Sequence, residues 1–412
     1  MPKINPFKPN SPAPYGMFAG RYSEILDLEK GLYQTKNKNP MNFLITGERG
    51  IGKSSLMAYI KPLAIGNIKS PDYESFKFVA VNVSISDRTN LLTLIRLIEQ
   101  NLKREISKIE SIRSFMESTW SFVQRIKIMD SGIDRVPSVE EPDLVIDEFA
   151  YSLSETSRRI VNPEKGEESK DGIIFFIDEA DNASSEIRIG YFFKAVTENL
   201  QKNGCQNVMF VVAGLPELIE KLSQSHESSL RIFTELKIKE LKVDDRLYVI
   251  ERGMEEANKI NQEKTTISDT AKRHISTLSE GYPHFIQQFA FSAFETNTDG
   301  EISEDDVLEG AFRERGALDA IGARYYASSF YDRIKSDEYR QVLGIMAESM
   351  NSWVPKKEIS SKFSGSEQTL NNALQALTDR RIILRNSSKR GEYRLQQRGF
   401  ALWIKLFGQR GK

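Results

Sequence analysis

The chain has 412 residues, 39% of them apolar and 28% charged, with a formal net charge of −1. That length exceeds one hydrophobic core and predicts two or three domains, while the near-zero charge excludes a global attraction to nucleic acid or membrane, so any such surface must be local. A single cysteine, Cys205, rules out an intramolecular disulfide, the three histidines (His226, His274, His284) lack metal-ligand spacing, and the longest apolar runs cannot span a bilayer, so a cytoplasmic protein without a membrane partner is expected.

In chain order, prolines 2, 6, 9, 12 and 14 predict an extended arm, because each removes a donor and fixes one dihedral. Residues 22–33 have helical spacing, with Ile25, Leu28, Leu32 and Tyr33 on one face. A short buried strand over 42–46 runs into a glycine-rich turn, and a helix follows over 54–60. The pattern then predicts a strand over 76–83, a long amphipathic helix over 91–106, buried strands over 173–177 and 208–212 with a helix over 187–200 between them, and a fifth strand over 234–238. Strands alternating with helices at this spacing argue for a doubly wound α/β domain with a parallel sheet. Past about residue 241 only helices are expected, until a last stretch from about 336. There two short helices precede a helix over 367–377, with Leu370, Ala373, Leu374 and Leu377 on one stripe, and a β-hairpin over 382–395. Helices followed by a hairpin are the order of a winged-helix domain. The expected division is 1–240 for the α/β core with its arm, 241–335 for a helical lid, and 336–412 for the winged helix.

Residues 47–54 read GERGIGKS and match G-x-x-x-x-G-K-[ST] in full. Gly47, Gly50 and Gly52 let the backbone curl so that successive N–H groups face a β-phosphate at the positive end of the following helix. Lys53 is expected to reach the β- and γ-phosphate oxygens and the Ser54 hydroxyl to hold magnesium, with Ser55 next to it in the nucleotide-binding set. IIFFIDEAD at 173–181 supplies the partner: the strand delivers Asp178 to its C-terminal tip, where open α/β sheets bind ligands. Asp178 is expected to position magnesium, and Glu179 to orient or deprotonate the water that attacks the γ-phosphate. ATP and magnesium are the implied cofactors.

These motifs, followed by a helical stretch and a winged helix, resemble the AAA+ superfamily of P-loop NTPases, in the branch of origin-recognition-like initiators and the related STAND and transposition-associated ATPases. MFAGRYSEILDLEKGL at 17–32 resembles the F-x-G-R-x-x-E helix that lines the adenine pocket there, which implies a nucleotide-side place for Gly20 and Arg21. GYPHFIQQFA at 281–290 resembles the turn into the second sensor helix and implies nucleotide contacts from Pro283 and His284. VVAGLPEL at 211–218 resembles the fourth strand and its exit. Two departures imply slow, switch-like turnover: the strand ends Ala213-Gly214-Leu215, where many relatives have a polar residue, and His284 stands where arginine is common. Arg231, in SSLRIFTEL, occupies a place resembling the finger that completes a neighbouring subunit's site; the alternative is a surface arginine paired with a local carboxylate. A homo-oligomer follows from the resemblance. Residues 107–142 form an insertion whose Ile109, Ile112, Phe115, Trp120, Val123 and Ile126 approximate helical spacing, a stripe for the protein's own core or for a partner.

From Asp337 onward the chain carries fourteen Lys/Arg against seven Asp/Glu. Lys389 and Arg390 fall at the expected hairpin tip, and Gln368, Asn371 and Asn372 on the polar face of the last long helix, where amides can read bases in a major groove and basic groups neutralise phosphates. The leading expectation is a nucleotide-controlled protein binding double-stranded DNA. The alternative is a STAND-like regulatory or defence switch whose winged helix contacts a protein partner or clamps the chain itself.

Overall fold

The computed structural model describes residues 3–11, 15–70, 72–106, 110–123, 142–327, 330–331, 334, 336–350, 352–380, 382–386 and 388–408. The chain divides into two compact units, Arg21–Lys239 and Met1–Gly20 with Glu240–Lys412.

The first unit is a five-stranded sheet with helices packed on it. Strands β1 (Asn42–Thr46), β2 (Val79–Ser84), β3 (Ile173–Asp178), β4 (Val208–Gly214) and β5 (Phe233–Lys237) lie in the order β2-β3-β4-β1-β5, every pairing parallel. β1 and β4 are buried along their whole length and β3 up to its last residue, as continuous apolar runs covered on both faces must be. Among the described residues the helices are α1 (Tyr22–Lys36), α2 (Lys53–Ala64), α3 (Leu91–Ile106), α4 (Glu110–Thr119), α5 (Pro142–Val161), α6 (Ile189–Lys202) and α7 (Leu218–Ser225). β2 starts at Val79, three residues later than the pattern suggests, although Phe76 and Phe78 are still buried.

Within the insertion, Met116, Trp120 and Val123 join the apolar core beside the sheet, with Phe115 packed against it. Own-core packing therefore accounts for that part of the stripe; the side chains at 109, 112 and 126 lie outside the described residues. α5, to which the sequence reading assigned no element, closes over Trp120. Its buried face carries Ser152, Ser154, Thr156 and Ser157 among Val145, Ile146, Phe149 and Leu153. The first three hydroxyls donate to carbonyls of Thr119, Ala150 and Ser152, and Thr156 also accepts from the Trp120 indole at 2.9 Å. Satisfied hydroxyls can be buried, so this face does not read as an apolar stripe.

The second unit begins with α8 (Val243–Ile260), α9 (Asp269–Leu278), α10 (Pro283–Thr296), α11 (Glu304–Phe312) and α12 (Ala317–Ile321). A two-stranded parallel ribbon, β6 (Thr266–Ile267) with β7 (Glu301–Ile302), interrupts what was expected to be purely helical. α13 (Asp337–Glu348), β8 (Val354–Pro355), α14 (Lys356–Lys362), α15 (Glu367–Asp379), β9 (Ile383–Arg385), β10 (Glu392–Leu395) and α16 (Arg398–Phe407) follow, with β10 pairing antiparallel to both β9 and β8. This is the expected winged helix with a third strand and a closing helix added. α16 packs Trp403 so tightly on Gly322 that a β-carbon there would lie 1.8 Å from the indole nitrogen.

One boundary differs from expectation: the proline-rich arm belongs with residues 240–412, not with the α/β core. Phe7 is 2% exposed, and a β-carbon on Gly253 of α8 would come within 2.2 Å of its ring. Asn261 accepts the Ile4 amide at 2.7 Å and Gln287 the Lys8 amide at 2.9 Å. An extended arm with few internal hydrogen bonds must find its partners elsewhere, and these lie about 250 residues downstream.

Candidate functional site

β1 ends inside the sheet at Thr46, and the chain leaves it through the glycine-rich loop. Gly50 (φ 79°) and Gly52 (φ 105°) take left-handed backbone, which a β-carbon would strain, so the loop can turn and let Lys53 open α2. Gly47 is fixed by crowding instead: a β-carbon would meet the Ile238 carbonyl at 2.9 Å. The Lys53 ammonium donates to the carbonyls of Gly47 (2.7 Å) and Glu48 (3.0 Å), which sets it over the loop. Burial pushes this amine below its ordinary range, against the opposing charges of Asp178, Asp181, Glu48 and Glu217. Ser55 follows on the first turn of α2.

Across 124 residues of sequence, the Ser54 hydroxyl donates to Asp178 Oδ2 at 2.5 Å. β3 lies beside β4, and β4 beside β1, so the tip of β3 opens on the same edge of the sheet as the phosphate loop. A hydroxyl and a carboxylate side by side are hard oxygen donors of the kind magnesium takes, with phosphates and water completing the shell. Among the described residues no group of three or more His, Cys, Asp or Glu could hold a metal without such help.

Glu179 follows Asp178 with φ 55°, a left-handed backbone in a residue that is not glycine, and its amide donates to Asp178 Oδ1 at 2.8 Å. Such a conformation costs on the order of 1–3 kcal/mol and persists only where the surroundings enforce it. Its side chain is exposed at the strand tip.

Arg21 is 5% exposed and donates to the carbonyls of Ile51 (3.1 Å) and Lys239 (2.6 Å), so it braces the phosphate loop from behind. Gly20 belongs to the other unit, against Leu241 and Asp245. Arg231 lies in a short 3-10 segment, Glu227–Ile232, exposed and, among the described residues, without a hydrogen-bond or ion-pair partner.

Pro283 and His284 open α10 in the second unit, after Gly281 at φ 84°. His284 Nε2 lies 2.8 Å from Arg324, which also donates to Asn10 Oδ1 at 2.6 Å. Arginine only donates, so Nε2 accepts in this contact, and the fixed charge at this turn belongs to Arg324, which no sequence motif marks. At the same turn Glu280 accepts the Gly399 amide at 2.8 Å, and burial raises its carboxyl above the ordinary carboxylate range.

On α15, Leu370, Ala373, Leu374 and Leu377 are buried while Gln368, Asn371 and Asn372 are exposed. Lys389 and Arg390 are exposed at the hairpin tip, Lys389 pairing with Glu392 at 3.3 Å; Ser387 lies outside the described residues. Arg394, on the hairpin arm, stacks over Trp353 at 4.9 Å. No helix among the described residues is long and apolar enough to cross a membrane.

No protein-family model matches this chain, and no curated protein matches it in sequence. Among solved structures it is similar to the Aeropyrum pernix ORC2 protein in its ADPNP–ADP complexes, with TM-score 0.56 at 13% identity over 99% of this chain and 98% of that one. The ADP form of that protein gives TM-score 0.50 at 13% identity over 95% and 93%. CDC6P from Pyrobaculum aerophilum aligns over 99% and 98% at 12% identity with TM-score 0.45, a likeness too low to add weight. At such identities the likeness is one of fold alone: a parallel α/β sheet domain followed by helices and a C-terminal winged helix.

Proposed function

We propose that this chain binds ATP with magnesium, hydrolyses it slowly, and uses its nucleotide state to control self-assembly and binding to duplex DNA. The observation that carries the reading is the meeting of Ser54, Asp178 and a left-handed Glu179 at one strand tip beside a complete phosphate loop. The nucleotides named with the fold neighbour support it.

In this reading the loop amides cradle the β-phosphate and Lys53 leaves the Gly47 and Glu48 carbonyls for phosphate oxygens, which relieves the burial of its charge. Ser54 and Asp178 would hold magnesium, which neutralises charge on the transferring phosphoryl group. Glu179 accepts the proton of the attacking water. Arg231 reaches a neighbouring copy's site, Arg21 acts through the loop it braces, and Gly20, Pro283 and His284 are each assigned a nucleotide contact. Residues 241–335 act as lid and 336–412 as winged helix, with Gln368, Asn371 and Asn372 toward bases and Lys389 and Arg390 toward phosphates. A β4 exit without a polar side chain supports slow turnover.

The test is phosphate release from ATP with magnesium, followed beside duplex-DNA binding with ATP present and absent. Nucleotide-dependent DNA binding is the expected outcome. Turnover without any DNA binding would turn the winged helix into a protein-contact or autoinhibitory module.

A further inference from the structure

Resting on the proposal that Glu179 serves hydrolysis and Arg231 acts in trans, we infer that Asp181 and Lys221 are positioning residues that fix the backbone of Glu179 and tie it to the segment carrying Arg231. A left-handed glutamate needs neighbours that impose its conformation, and three exits from the sheet converge on the turn that follows it. The Asn182 amide closes that turn onto the Glu179 carbonyl at 2.9 Å, and the Asn182 side chain donates to the Ile85 carbonyl beyond β2 at 3.2 Å. Asp181 Oδ1 accepts the Leu215 amide at 2.9 Å, just beyond β4, and the fit is close enough that a β-carbon on Gly214 would lie 2.8 Å from the same oxygen. Lys221, half-buried on α7, donates its ammonium to the main-chain carbonyls of Asp181 and, at 3.1 Å, Ala183. A cation spent on two main-chain carbonyls of one turn clamps that turn.

The other end of α7 leads to Arg231. The Ser229 hydroxyl, fully buried, donates to the Leu222 carbonyl at 2.9 Å, and the Ser229 amide to the His226 carbonyl at 3.0 Å, so the 3-10 segment is pinned to the helix that bears Lys221. Movement of Arg231 on meeting a neighbour's nucleotide is thereby passed through one short helix to the turn that orients the same subunit's Glu179. Each subunit's readiness to hydrolyse becomes sensitive to whether its own finger is engaged.

Steady-state ATP hydrolysis by the full chain tests this, with Lys221→Met, Lys221→Arg, Asp181→Ala and Asp181→Asn beside Glu179→Gln. Lys221→Met and Asp181→Ala are expected to lower kcat roughly 100-fold, the effect of an ångström-scale misplacement, with KM within about twofold. Lys221→Arg restores most of the rate, because it still donates to both carbonyls. Asp181→Asn does so too, because its side-chain oxygen still accepts from Leu215. The rise of specific activity with protein concentration should also flatten in Lys221→Met. Wild-type kcat in Lys221→Met, or a lost rate that Lys221→Arg does not recover, overturns the inference. If Lys221→Met does not fold, the Asp181 pair decides by the same criterion. Normal turnover in Glu179→Gln defeats the hydrolytic reading itself and this inference with it, whereas a dead Glu179→Gln beside a normal Lys221→Met defeats the inference alone.

Discussion

The phosphate-loop edge of the sheet and the basic end of the winged helix are the two regions to which function is assigned, and they are built in opposite ways. At the first, Lys53 is held by two carbonyls, Ser54 by Asp178, and the backbone of Glu179 by its own turn, its side chain exposed. At the second, Gln368, Asn371, Asn372 and Arg390 stand exposed in solvent, and only Lys389 has a charged partner. A site that must place a phosphoryl group within tenths of an ångström needs its side chains fixed in advance. A surface that tracks a phosphate backbone needs only charge within reach. Pre-organisation is therefore evidence of chemistry at one region, and its absence is no evidence against binding at the other.

The sharpest way to break that comparison is to remove the proposed base, Glu179. Glu179→Gln should retain magnesium–ATP binding and lose turnover by roughly 10²–10⁴-fold, the usual worth of a positioned general base. Phosphate-release and nucleotide-titration measurements on the same preparation separate the two, and undiminished turnover would leave a binding-only site.

Next in size is Lys53→Ala. Charge-assisted hydrogen bonds are worth about 1.5–3 kcal/mol each, so affinity for ATP should fall roughly 100-fold. Calorimetry checks this, and so does melting: the ~2.7 kcal/mol that a ligand confers at 100 times its Kd should shrink to about 0.4 kcal/mol at the same ATP concentration.

At the other region the expected change is smaller and of another kind. Lys389 and Arg390 both changed to Ala should weaken duplex DNA binding alike for all sequences and lower the slope of log affinity against log salt by about 1.8. Asn371→Ala or Asn372→Ala should change sequence preference instead. Fluorescence anisotropy across a salt series distinguishes these outcomes, and an unaltered slope in the double variant removes the hairpin from the DNA.

The smallest effect joins the lid turn to the winged helix. The Glu280 carboxyl is raised in the folded chain, so the folded state takes up its proton first on acidification. Its contribution to stability is fully present below the ordinary carboxylate range and is lost as pH rises through the raised folded value. Melting of wild type against Glu280→Gln should show the variant gaining on wild type as pH rises above the ordinary carboxylate range. A pH-independent difference would place the carboxylate in solvent.

How far the sequence could be read depended on how local the requirement was. GERGIGKS suggested a glycine-rich turn between β1 and α2, which the structure has, and its proposed role follows from the glycines, lysine and hydroxyl that a phosphate-wrapping loop needs within eight residues. Strands β1, β3 and β4 were legible because a strand covered on both faces must be continuously apolar. α5 was missed because Ser152, Ser154 and Thr156 put hydroxyls on its buried face, and only their partners show that they are at ease there. The arm was assigned to the wrong unit because nothing near Phe7 announces Gly253.

By itself the sequence determined the glycine-rich turn after β1, the acidic residues at the tip of β3, the parallel sheet and the winged helix, since each is encoded by residues close together in the chain. Only the tertiary structure decided that Ser54 meets Asp178, that Glu179 turns left-handed, that Arg324 lies beside His284, and that Asp181 and Asn182 tie the exits of β4 and β2 to the turn after β3, which Lys221 clamps. Those contacts join residues from 34 to 124 positions apart, apart from the local turn at Glu179. Hydrogen-bond geometry over such separations depends on strand order and packing, which no local periodicity carries.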